Sequence, residues 1–219
     1  MSSRRELLKA LHRGQLSRRE FVGRMSALGL AAGAVPALLS TTAHAAEPKK
    51  GGKITVGVEA AQTRDSLDPT RYYSTANILM GFTVYDSLVN RGPDLKPVPW
   101  LAESWDVGKD ASEWIFQLRK GVEWHDGAPF TADDVIYTFN RHNREGSESP
   151  AKAYTSQIAE MTKDGDHVVR FRLAAPNADF PIVLTDTRTQ ISRSGYEDFV
   201  STTVGTRACK DNDWKSGSR

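Results

Sequence analysis

Residues 101–135 read LAESWDVGKDASEWIFQLRKGVEWHDGAPFTADDV, and this stretch decides the class of fold. Within it, apolar and polar side chains alternate over residues 112–119, so that Trp114, Phe116 and Leu118 fall on one face. This period of two predicts a half-buried β-strand.

The second half of the same stretch predicts a helix that follows the strand. Gly121 and the pair Asp126-Gly127 are turn signals. Thr131 then precedes an apolar pattern of helical spacing and can cap a helix that begins there. Asp133 and Asp134 place negative charge in the first turn, against the positive end of the helix dipole, which explains these acids without catalytic chemistry.

Regular elements are predicted on both sides of this stretch. Residues 53–59 alternate β-branched with polar side chains and predict a strand, as do residues 168–173 after the turn signal at 163–166. Residues 73–88 predict a helix with its apolar side chains near one face. We therefore expect an α/β fold, and the sequence shows no internal repeat.

Composition excludes several classes of protein. The chain has 219 residues, 39% of them hydrophobic, which is enough for a buried core. Its 29 basic and 27 acidic residues are too balanced to indicate nucleic acid as a partner. Because Cys209 is the single cysteine, the chain can form no internal disulfide and no cysteine-based zinc site.

The first 45 residues have the pattern of an export signal. Arg18 and Arg19 precede an aromatic residue, a charge-free run follows at 25–39, and Ala43 and Ala45 complete an A-x-A cleavage site. The arginine pair resembles a twin-arginine signal, which implies export through that machinery and cleavage near Ala45. The alternative is a membrane anchor, but the run has fewer strongly apolar residues than the roughly 20 that a bilayer requires.

Five blocks in order resemble one known family. The chain is similar to the extracellular solute-binding proteins of the dipeptide, oligopeptide and nickel ABC importers, a resemblance that extends from Gly51 to about Leu184. The blocks are Ser66-Leu67-Asp68-Pro69, Leu101-Ala102-Glu103-Ser104-Trp105, Phe116-Gln117-Leu118-Arg119-Lys120-Gly121-Val122, His125-Asp126-Gly127 and Phe130-Thr131-Ala132-Asp133-Asp134-Val135.

The resemblance implies a fold and a domain organisation. The expected fold is an incomplete type 2 periplasmic binding protein fold, bilobed with an extra inserted domain, whose second lobe is missing. Residues 1–45 would be the twin-arginine signal and 46–219 the N-terminal part of the binding domain. Within the latter, 46–95 would begin the first lobe, 96–195 form the inserted domain, and 196–219 return to the first lobe.

The end of the chain departs from the family pattern. Arg207 stands where the family usually has a glycine, and Cys209 stands where an aromatic residue is usual. Members of the family are typically more than twice as long. We therefore expect a truncated product, and an inert product is one of the alternatives.

The predicted ligand contacts lie at the end of the first predicted strand and in the loop beyond it. They are Glu59, Ala60, Ala61, Tyr72 and Tyr73. Ligands of open α/β folds bind outside the carboxyl ends of strands, and tyrosine combines an apolar face with a hydroxyl group.

The alternative function is that of a secreted hydrolase that uses Glu103, His125 and Asp126. Against it, Asp126-Gly127 is ordinary turn chemistry, and the sequence has no H-E-x-x-H spacing and no G-x-S-x-G elbow. We therefore predict no catalytic residues, no metal site, no cofactor and no enzyme activity.

The favoured function is that of the substrate-binding component of an ABC importer. The resemblance implies a periplasmic protein that binds a peptide or similar small solute and delivers it to permease subunits at the inner membrane. We expect a monomer. Peptide, nickel, haem, opine and sugar binders share this scaffold, so the identity of the ligand stays open.

Overall fold

A computed structural model gives the structure of the protein. It describes residues 4–12, 15–27, 52, 54–58, 62, 65–199 and 202–209. The chain divides into two compact units, residues 1–55 and 56–219, each of which is described by itself. Within the described ranges, every helix is too short or too polar to cross a membrane.

The described residues of the first unit form two helices, α1 (Arg4–His12) and α2 (Arg18–Ala27). Leu7, Phe21 and Met25 are its buried apolar side chains among the described residues. Arg19 lies on the exposed surface of α2.

A capping box begins α2. The backbone N–H and the hydroxyl of Ser17 both donate to the Glu20 carboxylate, at 2.9 and 2.8 Å, and the Glu20 N–H donates back to Ser17 Oγ at 3.2 Å. These hydrogen bonds lower the pKa of Glu20. Arg18 and Arg19 thus occupy the first turn of a helix, whereas Ala43 and Ala45 lie outside the described residues. The export role of all four stays a prediction.

The prediction of a strand at 53–59 is wrong for residues 54–58, the part of this segment that the structure describes. Residues 54–58 have no regular structure, and the side chains of Ile54 and Val56 are 90% and 71% exposed. A strand needs a neighbour for its N–H and C=O groups, and no described strand pairs with this segment.

Two antiparallel sheets are present in the described part of the second unit. A two-stranded sheet and a four-stranded sheet of order β3-β4-β6-β5 follow one another along the chain. Their strands are β1 (Val89–Arg91), β2 (Pro97–Pro99), β3 (Ala102–Val107), β4 (Glu113–Leu118), β5 (Ile158–Lys163) and β6 (Val168–Leu173).

Helical segments precede, interrupt and follow the sheets. A 3₁₀ turn at Pro69–Arg71 leads to α3 (Thr75–Val84). Between the two hairpins of the larger sheet lie α4 (Ala132–Asn143) and α5 (Lys152–Thr155), and after them comes α6 (Phe180–Val183).

The mixture of strands and helices confirms the predicted α/β class. The strands predicted at 112–119 and 168–173 are β4 and β6, and the capped helix is α4. The helix predicted at 73–88 is shorter, because Ser74 caps α3 at one end and Tyr85 turns to extended backbone at the other. The sequence pattern predicts no strand at the positions of β3 and β5.

The larger sheet consists of two similar hairpins. β3 has the same pattern of burial as β5, position by position, and β4 has the same pattern as β6. The register of each outer strand also shifts at the same place, between Ala102 and Ser104 and between Ile158 and Glu160. The structure therefore contains a repeat that the sequence did not show.

Aromatic rings fill the core between the four-stranded sheet and the helices. Phe171 of β6 lies with its ring centroid 5.4 Å from Phe116 of β4, 5.4 Å from Phe139 of α4 and 5.3 Å from Phe180 of α6. All four side chains are fully buried. This cluster joins the two hairpins to both helices.

Asp134 does more than stabilise the helix dipole. Its carboxylate is buried and accepts the Thr131 N–H at 2.8 Å, the Trp124 indole N–H at 3.1 Å and the Ser194 N–H at 2.7 Å. Three donors compensate the cost of burying this charge. The carboxylate therefore ties the start of α4 to two neighbouring loops.

Candidate functional site

The predicted ligand contacts fall partly outside the described residues, where Glu59, Ala60 and Ala61 lie. Tyr72 is buried, its hydroxyl donates to the carbonyl of Leu67 at 3.3 Å, and burial raises its pKa well above the ordinary value. Tyr73 is 50% exposed, and its hydroxyl donates to the carbonyl of Glu148 at 2.7 Å. The role of these residues in ligand binding stays a prediction.

The segment of residues 65–74, which carries both tyrosines, is held by its own side chains. Ser74 Oγ donates to Asp65 at 2.7 Å, and the Asn77 amide donates to the carbonyl of Ser66 at 2.8 Å. These bonds attach the loop to the start of α3.

An ion pair fixes the same segment to α4. Arg141 Nη2 lies 2.6 Å from Asp68 Oδ2, and the two side chains are only 10% and 12% exposed. Asp68 Oδ1 also accepts the backbone N–H and the hydroxyl of Thr70, at 2.9 and 2.8 Å. Both charges are thus paired as a buried ion pair requires. The residues are 73 positions apart in the sequence, and sequence reasoning missed the pair.

His142, the next residue on α4, is fully buried. Its Nδ1 lies 2.7 Å from Ser149 Oγ. Burial, with a smaller contribution from the charge of Arg141, lowers the pKa of His142 to about 4. The charge of Asp68, a hydrogen bond with the backbone of Arg188 and the charge of Asp186 oppose this shift.

We expect the stability of the protein to fall between pH 6.5 and pH 4 because of His142. The unfolded state binds a proton near pH 6.5 and the folded state only near pH 4, so stability is full above pH 6.5 and declines below it. The loss is roughly 3 kcal/mol. Urea titrations of the wild type and His142→Asn from pH 7 to pH 4 measure it, because the variant lacks this contribution. Parallel pH profiles for the two proteins would contradict the prediction.

The three residues of the hydrolase alternative each contact other groups. His125 Nδ1 accepts the Gly205 N–H at 3.2 Å, so Nε2 carries the proton that it donates to the carbonyl of Arg207. Asp126 pairs with Arg193 at 2.9 Å. Glu103 lies half-exposed on β3, 4.0 Å from Arg119. In the described ranges no group of three or more metal-ligating side chains comes together.

The segment that departs from the family pattern is nevertheless packed onto the fold. Arg207 Nε donates to the carbonyl of Tyr85 at 2.9 Å, and it lies 2.8 Å from Asp86 Oδ1 in an ion pair. A Cβ on Gly205 would lie 2.0 Å from the carbonyl oxygen of Val84, so only glycine fits there. Arg207 thus has local partners, and Cys209 is exposed.

The chain is similar to known binding proteins in both sequence and structure. A "Probable peptide ABC transporter periplasmic-binding protein" of Sinorhizobium fredii is 30% identical over 159 residues, which are 71% of this chain and 28% of that protein. The structure of a binding protein from A. tumefaciens in complex with agropinic acid matches with a TM-score of 0.65 and 25% identity, over 69% of this chain and 32% of that one. A nickel ABC transporter structure from Bacillus halodurans matches with a TM-score of 0.61 and 26% identity, over 70% and 31%.

The fold is therefore that of a periplasmic binding protein, of which this chain contains a part. The profile of the "Bacterial extracellular solute-binding proteins, family 5 Middle" matches residues 96–218. The chain belongs to this family. It spans about three tenths of the length of the three proteins named above.

The family assignment confirms the resemblance read from the five sequence blocks, and the partial coverage agrees with an incomplete fold. The division of the chain at residues 95 and 195 stays a prediction. The relatives are solute-binding proteins, the class expected from the sequence.

Proposed function

We propose that this protein is the substrate-binding component of an ABC importer, and that it binds a peptide or a similar small solute in the periplasm. Membership of the solute-binding family is the observation that carries the proposal. Relatives with peptide-binding names favour peptides over other solutes, among them the oligopeptide-binding protein of Escherichia coli, 37% identical over 89 residues.

In this proposal the protein binds and releases the solute without changing it chemically. Both ring nitrogens of His125 are engaged by backbone groups, which favours a structural role over acid–base chemistry. Binding and domain closure would present the solute to permease subunits at the inner membrane. We further propose that the protein acts as a monomer without a cofactor or metal.

Glu59, Ala60, Ala61, Tyr72 and Tyr73 remain the proposed ligand contacts. Of these, Tyr73 offers an exposed ring on a loop fixed to α3 and α4, a suitable surface for the side chain of a peptide. Buried Tyr72 would act through the backbone that it supports.

Export by the twin-arginine route is part of the proposal. It rests on Arg18 and Arg19 in the capped first turn of α2 and on the A-x-A pattern at Ala43 and Ala45. N-terminal sequencing of the exported protein tests it. A mature chain that begins near residue 46 is expected, and retention of residues 1–45 contradicts cleavage.

Thermal unfolding of the purified protein with increasing concentrations of dialanine and trialanine tests the binding function. A ligand at ten times its Kd is expected to raise Tm by roughly 3 to 6 °C. Mass spectrometry should recover the peptide intact. Tyr73→Ala is expected to weaken binding about tenfold, whereas Leu95→Ala, at an exposed turn, should not.

Either of two results would contradict this function. Release of cleaved peptide would favour the hydrolase. Unchanged Tm with peptides, an opine and Ni²⁺ alike would show that the protein does not bind the solutes of its relatives.

A further inference from the structure

A cavity of about 290 Å³ lies between the 65–74 segment and the end of α4. Its lining residues include neither the candidate catalytic groups nor the two tyrosines of the predicted ligand site. Its lining is dominated by charge and includes Asp68, Arg71, Arg141, Arg144, Glu197 and Phe199.

Arg141 forms a buried part of this lining. Its guanidinium carbon lies 4.4 Å from the ring centroid of Phe199, and Nη2 is paired with Asp68. Nη1 is also buried but has no hydrogen-bond partner within the part of the chain that the structure describes. An unsatisfied buried N–H of a charged group costs free energy, so a bound acceptor at Nη1 would be stabilising.

Arg71 and Arg144 add two exposed guanidinium groups to the same cavity. Among the described residues neither of them forms an ion pair with an acid. The charge of Asp68 is already matched by Arg141, so Glu197 is the one further acid in the lining against these two cations. The cavity therefore keeps an excess of positive charge.

A second cavity, of about 240 Å³, adjoins the first and shares Arg71 and Arg144 with it. Its lining adds the acid Glu148 and the hydroxyl groups of Thr70, Ser147 and Ser149, of which those of Thr70 and Ser149 already hydrogen-bond to Asp68 and His142. Guanidinium groups, such as those of the two arginines that line both cavities, are donors from which oxygen anions accept hydrogen bonds.

We propose that the cavity binds a small oxyanion, either phosphate or a carboxylate. Arg141 Nη1 would donate one hydrogen bond from the buried wall, while Arg71 and Arg144 would contribute charge and donors from the rim. Arg is suited to this role because its planar fork matches the geometry of both anions. This site goes beyond solute transport, since it does not depend on the peptide-binding function.

Calorimetric titration of the protein with inorganic phosphate, and separately with acetate, at constant ionic strength tests the site. In Arg71→Gln/Arg144→Gln we expect binding at least tenfold weaker than in the wild type, because each lost charged hydrogen bond is worth a tenfold change or more. Lys120→Gln removes an exposed cation outside the cavity and should bind like the wild type.

Both substituted arginines are exposed, so the double variant should fold, and its Tm in chloride buffer checks this. Binding of phosphate alone or of acetate alone identifies the anion, and either supports the proposal when it depends on the two arginines. Equal affinity in wild type, double variant and control overturns it, as does the absence of binding by both anions.

Discussion

Replacing Phe171 with alanine is expected to lower the free energy of unfolding by about 3–5 kcal/mol. The ring contacts Phe116, Phe139 and Phe180 at centroid distances of 5.3 to 5.4 Å, so its loss leaves a cavity where both hairpins and two helices meet. Equilibrium unfolding in urea measures the change.

Phe171→Leu is the control for this experiment. It keeps most of the apolar volume and should cost less than about 1.5 kcal/mol. If alanine and leucine destabilise the protein equally, the aromatic cluster is not the centre of the core.

Replacing Arg141 with methionine is expected to cost about 3–5 kcal/mol. The substitution keeps the apolar length of the side chain but leaves Oδ2 of the Asp68 carboxylate buried without its cation. The two donors from Thr70 remain on Oδ1 and do not replace the lost charge. Urea unfolding at pH 7 measures the loss.

A double variant separates the ion pair from the volume of the side chain. Asp68→Asn/Arg141→Met removes both charges, so it should be more stable than Arg141→Met alone. A double variant that is as unstable as the sum of the two single variants would show that the pair contributes no interaction energy.

The sequence predicts those elements whose periodicity is undisturbed. β4 and β6 alternate without interruption, and α4 has a capping residue followed by two acids and an apolar pattern. β3 and β5 escape detection because each shifts register near its start and has four exposed side chains among its six residues. A shift of one residue moves the apolar side chains to the other face, which disrupts the pattern.

The sequence predicts less of the site than of the fold, because the main contacts of the site join residues that are far apart in the chain. Asp68 is visible as half of a turn signal, but its partner on α4 is 73 residues away. His142 lies beside charged residues and looks exposed in the sequence, yet the helix turns it fully inward. Tyr72 and Tyr73 are adjacent and of one type, and only the fold distinguishes a buried hydroxyl from an exposed ring.

The repeated hairpins give the larger sheet two similar edge strands, β3 and β5. Because β3 and β5 are both irregular near their starts, neither edge strand presents a straight row of unpaired N–H and C=O groups over its full length. Charged side chains such as Glu103 and Lys163 stand along them. A strand from another molecule would face an irregular backbone and charged side chains at both edges. We therefore expect copies of this protein at high concentration to resist edge-to-edge association of their sheets.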